Sequence, residues 1–486
     1  MFRRPTRLLF AGTLTTLAAC ATAPEPLKPS NESPFIFEAS DGQQTEALRG
    51  HLMVPERRSD PGSRQIRLEY VRFPATGQSG GPPIIYLAGG PGGSGIGTAK
   101  GPRFALFMAM REFGDVIALD QRGTGASNDM PTCNSSQADP DREPLSDADF
   151  LERHRLAADE CLAFWKESGV DIMGYTTLES ARDLEALRLH LGARKISLWG
   201  ISYGSHLSLA AIREMEGRID RVVLASVEGL DQTVKYPART DAYFARLQAA
   251  IDADEALARQ LPDIAGLMRR VHAKLDANPV MLSVPLSDGT SAPFLLERRD
   301  LQLLTSGMIA DPEWAIMAMQ LYAELDQGGV SGVTSVMARF IEPDAPIRFQ
   351  PMPFAMDIAS GTGEARKAEV AAQARTSLLG DYLNFPMPHL DGHVARLDLG
   401  DAFREPPESD VPTLVLSGTL DGRTYPESQR EAVAGLTNAT IVTVENAGHN
   451  LFMLSPEITS LILAFMRGQR LDQDTVRVSI PDRDTE

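Results

Sequence analysis

Trp199-Gly200-Ile201-Ser202-Tyr203-Gly204-Ser205 is the stretch that decides how this 486-residue chain is read. The apolar run Ile196–Ile201 leads into Ser202, and the run Ser205–Met215 leaves it with helical spacing. A strand that turns at once into a helix brings its backbone so close together that glycine is needed two residues before and two after the turning residue. Gly200 and Gly204 stand there. The turn lifts Ser202 off the sheet edge, the posture of a nucleophile elbow. A G-x-S-x-G string alone recurs by chance in chains of this length, and its strand-turn-helix setting is what gives it meaning.

Outward from the elbow, continuous apolar runs suited to buried parallel strands recur at Pro83–Leu87, Val116–Leu119 and Arg221–Ala225. The first ends in Ala88-Gly89-Gly90-Pro91-Gly92-Gly93, the second in Asp120-Gln121-Arg122-Gly123-Thr124-Gly125-Ala126-Ser127. Helical spacing over Phe104–Phe113, Asp147–Glu167 and Thr177–Leu191 separates them, and alternating runs at Leu48–Val54 and Ile66–Phe73 predict an antiparallel hairpin upstream. This alternation predicts an α/β fold, a mostly parallel sheet with helices on both faces. From Gly229 to about Arg404 the pattern changes to amphipathic helices (Thr240–Asp254, Asp263–Ala277, Asp311–Leu325, Glu364–Leu379) with a hairpin around Ser287-Asp288-Gly289-Thr290. It reads as an inserted, mainly helical lid. The α/β pattern resumes with strands at Pro412–Leu416 and Thr440–Val444 and helices at Pro426–Ala434 and Leu451–Met466. The expected organisation is a signal peptide over 1–20, a tether over 21–33, a core in two parts over 34–229 and 405–470, a lid over 230–404, and a polar tail over 471–486.

With 43% hydrophobic and 23% charged residues, the composition is that of a globular protein. A net charge of −18 with no basic patch argues against a nucleic-acid partner. The start of the chain has Arg3, Arg4 and Arg7, a short apolar core at Leu8–Leu17, and then Leu17-Ala18-Ala19-Cys20. Small residues before a cysteine resemble a bacterial lipobox, which implies lipidation of Cys20 and an exported, membrane-anchored protein; the alternative is an ordinary secretory signal with a chance cysteine. In an exported chain the remaining cysteines, Cys133 and Cys161, are expected to pair rather than stay as buried thiols.

Serine is a poor nucleophile at its free pKa, so Ser202 needs a base, and the base a carboxylate to orient it. In this arrangement the acid and base follow the serine in chain order. Asp421 lies in Ser417-Gly418-Thr419-Leu420-Asp421-Gly422 and His449 in Glu445-Asn446-Ala447-Gly448-His449-Asn450, each just past a predicted strand. Asp421 alone could be turn chemistry and His449 alone a helix-start residue; together, at successive strand ends, they reach the edge where open parallel sheets place ligands. Glu427 and Glu445 are lesser candidates for the acid, and His206 reads as a side chain of the elbow helix. Donors for a developing oxyanion are expected from the backbone N–H groups of Tyr203 and Gly90, since Pro91 has none to give. No metal-ligand spacing is present, and the glycine loop is no phosphate-binding G-x-x-x-x-G-K-[ST], so no metal or cofactor is expected.

Taken together, the Gly89-Gly90-Pro91-Gly92 loop, Asp120-Gln121-Arg122-Gly123-Thr124-Gly125, the elbow, Asp421 and Gly448-His449 resemble the α/β-hydrolase family of proline iminopeptidases and tripeptidyl aminopeptidases. That family usually has histidine where this chain has Ala88, a change that leaves a backbone donor intact. The resemblance covers the two core segments and implies an α/β-hydrolase fold and a serine exopeptidase acting near a free peptide N-terminus through an acyl-enzyme. It also implies lid acids that hold the substrate ammonium, for which Glu228 and Asp357 are the candidates, although Glu228 could equally be a surface-loop residue. The alternatives are a carboxylesterase or lipase with the same triad, and a non-catalytic binding lipoprotein on the same fold.

Overall fold

The continuous apolar runs form the middle of one ten-stranded sheet in the computed structural model, which describes residues 31–77, 80–128, 130–339, 342, 344–394 and 396–480. Its strands are β1 (Ser33–Glu38), β2 (Gln44–Pro55), β3 (Gln65–Phe73), β4 (Ile84–Leu87), β5 (Val116–Leu119), β6 (Ile196–Ser202), β7 (Ile219–Val227), β8 (Thr413–Gly418), β9 (Ala439–Glu445) and β10 (Thr475–Arg477). They lie in the order β1-β2-β3-β5-β4-β6-β7-β8-β9-β10. The first three strands and β5 pair antiparallel, and from β5 to β10 every pairing is parallel.

Side chains alternate across a strand, and here both faces are buried, which is why β4, β5 and β8 read as unbroken apolar runs rather than as alternation. Ile85, Leu87, Ile117, Leu198, Leu224 and Val415 pack on one side with the helices Asp147–Glu167, Thr177–His190 and Tyr203–Met215. Ile84, Tyr86, Ala118, Trp199, Val223 and Leu416 pack on the other, against Phe104–Met110 and Pro456–Met466.

Between β7 and β8 the chain leaves the sheet for a mainly helical stretch that contains the expected hairpin, Val280–Pro285 with Ser291–Leu296. Its first part has its own core, from Tyr243 to Met337, which also takes in Leu378, Leu379 and Leu383 and, from the loop after β8, Leu420 and Tyr425. Its later part does not stand apart: Met352, Phe354, Met356 and Ile358 join the core of the sheet. They lie on the helix Pro351–Ser360, to which the sequence reading assigns no element and which holds Pro351 and Pro353. Both fall in the first helical turn, where an N–H has no intrahelical acceptor to lose. Within the expected polar tail, Thr475–Arg477 adds the last strand, with Val476 buried against β9.

Cys133 and Cys161 form a disulfide, tying the helix Asp147–Glu167 to the loop region after β5. Cys20, the expected signal peptide and most of the expected tether lie outside the described residues. No helix among the described residues is long and apolar enough to cross a membrane.

The Asp120–Ser127 loop is anchored by Arg122, whose side chain is fully buried. Its Nε and Nη2 each lie 2.7 Å from an Asp183 carboxylate oxygen, and Nη1 donates to the Glu56 carbonyl at 2.6 Å. Arg122→Ala strands part of a buried acid network and is expected to cost about 3 kcal/mol or more, read as a lowered thermal midpoint. Arg122→Lys should recover little of it, because one ammonium cannot serve the carboxylate fork and the carbonyls together.

Candidate active site

Ser202 sits at the end of β6 with φ 54° and ψ −126°, a backbone conformation that residues with a side chain seldom adopt and that marks strained functional turns. The flanking glycines permit it. A Cβ on Gly200 would lie 2.5 Å from the Gly204 carbonyl oxygen, and one on Gly204 would run into the Leu87 carbonyl. The hydroxyl of Ser205 ties the turn to the end of β7, donating to the Ser202 carbonyl at 2.5 Å and accepting from the Glu228 N–H at 2.9 Å.

Two strands further along, the loops after β8 and β9 bring Asp421 and His449 together. His449 Nδ1 lies 3.1 and 3.0 Å from the two oxygens of Asp421, which is fully buried. Asp421 also accepts from the N–H groups of Arg423 and Thr424, both at 2.8 Å, and from the Thr424 hydroxyl at 2.6 Å. Burial works against the charge on Asp421, but the imidazole and these donors outweigh it and hold the carboxyl below its ordinary range. The imidazole ring is thereby held with Nδ1 toward the acid. The main chain of His449 is pinned separately, its N–H donating to the Ala310 carbonyl at 2.8 Å and Asp311 Oδ1 at 2.9 Å, while its carbonyl accepts from Ser226 Oγ at 2.7 Å.

Ser202 and His449 line one cleft of about 450 Å³, together with Gly89, Gly90, Glu228, Lys235, Arg423 and Asn450. Gly90 adopts φ 123° there, a value suited to glycine. The side chain of Tyr203 is buried behind the elbow, its hydroxyl donating to Met356 Sδ at 3.0 Å, and burial pushes the phenol upward. Glu228 is in the cleft wall, but it is already paired with Lys235 at 3.3 Å. Asp357, on the helix Pro351–Ser360, is not part of that wall. Desolvation, reinforced by the charge of Glu228, pushes its carboxyl up to about 7, against the pull of Lys235 and Arg423.

The lesser candidates are engaged elsewhere. Glu427 pairs with Arg246 at 3.0 Å and Glu445 with Arg477 at 2.5 Å, while His206 is buried between the Gly229 carbonyl and the Ser360 hydroxyl, each at 3.1 Å. The sequence reading missed Lys235, Arg423 and Asp311. Arg423 carried a usable signal, two residues after the predicted acid; the other two come from the insertion, where chain order says little about what faces the cleft.

Residues 82–301 match the family model described as the alpha/beta hydrolase fold, and residues 400–477 match that of TAP-like proteins. The chain has the α/β-hydrolase fold. This α/β-hydrolase is 33% identical over 188 residues to serine protease Hip1 of Mycobacterium tuberculosis, covering 37% of this chain and 35% of that protein. It is 31% identical over 193 residues to the tripeptidyl aminopeptidase of Streptomyces coelicolor, covering 37% and 34%. It is also 29% identical over 168 residues to carboxylesterase B of M. tuberculosis, covering 31% and 30%. The matched segments thus span about a third of the relatives' own length. Among solved structures, a thermophilic esterase from Thermogutta terrifontis aligns with 86% of this chain and 98% of its own, at 17% identity and a TM-score of 0.38.

The raised carboxyl of Asp357 makes stability depend on pH. Between its ordinary value near 3.8 and about 7 the unfolded chain has lost this proton while the folded one keeps it, so the group costs the hydrolase stability as pH rises across that window. Asp357→Asn should therefore melt above wild type at pH 8, with the difference shrinking as pH falls toward 4. A constant difference across that range in thermal melts would contradict this assignment.

Proposed function

We propose that this α/β-hydrolase is a serine peptidase that acts near a free peptide N-terminus. The observation that carries the chemistry is the contact of His449 Nδ1 with both oxygens of buried Asp421, in a cleft shared with Ser202 on its strained turn. Ser202 Oγ attacks the scissile carbonyl while His449 takes its proton. Asp421 holds the imidazole tautomer and steadies the imidazolium. The N–H groups of Gly90 and Tyr203 receive the developing oxyanion. His449 then protonates the leaving amine as the C–N bond breaks, and water, deprotonated by the same imidazole, releases the acyl group from Ser202 and restores its hydroxyl.

The choice of a peptide substrate is supported by the relatives named as a serine protease and a tripeptidyl aminopeptidase. Glu228, which lines the cleft, is the acid proposed to hold the substrate ammonium, Asp357 lying outside the cleft wall, and the insertion over 230–404 is proposed as the lid that restricts access. Export is supported by the Cys133–Cys161 disulfide, which belongs to an oxidising compartment. We extend this to a lipid anchor on Cys20. A carboxylesterase is the second reading, favoured by the match to carboxylesterase B, because the same three groups would cleave an ester.

A fluorophosphonate probe should label wild type and not Ser202→Ala. Asp421→Asn should lower kcat by roughly 10³–10⁴, as expected when the histidine loses its orienting acid. Aminoacyl arylamides with a free α-amine should be cleaved at least tenfold faster than amine-blocked versions. Equal rates would remove the exopeptidase assignment, and turnover of p-nitrophenyl esters alone would move the enzyme to the second reading.

A further inference from the structure

The cleft beside Ser202 has the opposite charge balance to the protein around it. The chain carries a net charge of −18, yet three cations, Arg103, Lys235 and Arg423, line the cleft against one carboxylate, Glu228. Glu228 and Lys235 cancel each other: Nζ lies 3.3 Å from Oε2, and the side chains are only 14% and 10% exposed, Lys235 and Glu228 respectively. The ammonium also donates to the Thr233 carbonyl at 3.1 Å. Arg103 is occupied differently, bonded to the Tyr86 hydroxyl and spread over the rings of Tyr86 and Phe452, with 5.6 and 5.3 Å to their centroids.

That leaves Arg423. Among the described residues no carboxylate comes within ion-pair distance of its guanidinium, and its one side-chain acceptor is the Ser306 carbonyl at 2.8 Å. A guanidinium has five N–H donors, so donors remain for a ligand. Its backbone N–H donates to Asp421 Oδ1 at 2.8 Å, so the residue is anchored directly beside the acid–base pair, and the Ser306 carbonyl restrains its guanidinium. A half-buried cation engaged in no ion pair and facing a cleft is a site for an anion, and the planar fork matches a carboxylate at both oxygens.

We propose that Arg423 is a specificity-determining residue that binds a carboxylate of the substrate, so that the enzyme favours peptides presenting a negative charge close to the scissile bond. The inference rests on the peptidase reading of this cleft for its substrate class. The carboxylate has two possible sources, the C-terminus of a short peptide or an acidic side chain.

The test measures binding without turnover, by calorimetry on the full chain carrying Ser202→Ala. Its ligands are tetra-alanine as free acid and as C-terminal amide, and amidated tetrapeptides with glutamate or glutamine at each position in turn. The anionic member of at least one pair should bind about tenfold tighter or more, the size expected of a charge-assisted hydrogen bond. The preference should shrink to within twofold in Arg423→Gln, return in large part in Arg423→Lys, and weaken with added salt. A preference for the free acid identifies the C-terminus; a preference for glutamate identifies a side chain. Equal binding within every pair overturns the proposal, as does a preference that survives Arg423→Gln. If Arg423→Gln does not fold, the Ser202→Ala pairs and Arg423→Lys still decide. Tighter binding of anionic peptides that the wild type does not cleave would overturn the peptidase reading and leave the anion site standing; cleavage without charge preference would do the reverse.

Discussion

The arrangement of this cleft depends on one fully buried carboxylate. Asp421 has no contact with water and would be costly to ionise in that position if it were left alone. It is held charged by the imidazole of His449 and by three donors from its own loop, the N–H groups of Arg423 and Thr424 and the Thr424 hydroxyl. These donors sit two and three residues downstream, so one tight turn after β8 both shapes the loop and stabilises the charge. The turn would lose its partners if the carboxylate were removed, and the carboxylate would lose its charge if the turn opened. A residue of modest local propensity thereby becomes the point on which the orientation of His449 rests.

The parallel sheet is what allows this pair and Ser202 to face one cleft. β6, β7, β8 and β9 are consecutive neighbours, all parallel, so the loops at their C-terminal ends emerge on one edge. Ser202 ends β6, Glu228 follows β7, Asp421 follows β8 and His449 follows β9. The residues are separated by up to 247 positions in the chain but by only three strand spacings across the sheet. The long excursion between β7 and β8 costs little in closure, because loop entropy grows only slowly with length. A large insertion at that point is therefore compatible with an undisturbed sheet.

That logic explains what could be read from the residues and what could not. Strands such as Val116–Leu119 were legible because burial on both faces leaves an unbroken apolar run, and the helix Asp147–Glu167 because its spacing is long and regular. Ser202, Asp421 and His449 were legible because strand order constrains them. The helix Pro351–Ser360 was not, since two prolines that start a helix look the same in sequence as two that prevent one. β1 and β10 were missed because short edge strands bury few side chains: in β10 only Val476 is buried. The Lys235–Glu228 pair was hidden for a different reason. Two charges seven residues apart in a loop have no periodic signature, and nothing in composition says that one already neutralises the other.

The insertion is bonded to the loops that carry Asp421 and His449. The Ile309 carbonyl accepts from the Gly422 N–H at 3.1 Å, the Ala310 carbonyl and Asp311 carboxylate accept from His449, and the Ser306 carbonyl accepts from Arg423. The approach is close enough that a Cβ on Gly448 would lie 2.6 Å from both the Ala310 carbonyl oxygen and the Asp311 Cα. Glycine before the histidine is thus a packing requirement of the insertion as well as a turn residue. Since residues 306–311 touch the loops of Asp421 and His449 at once, a shift of that segment would change the support of both residues together.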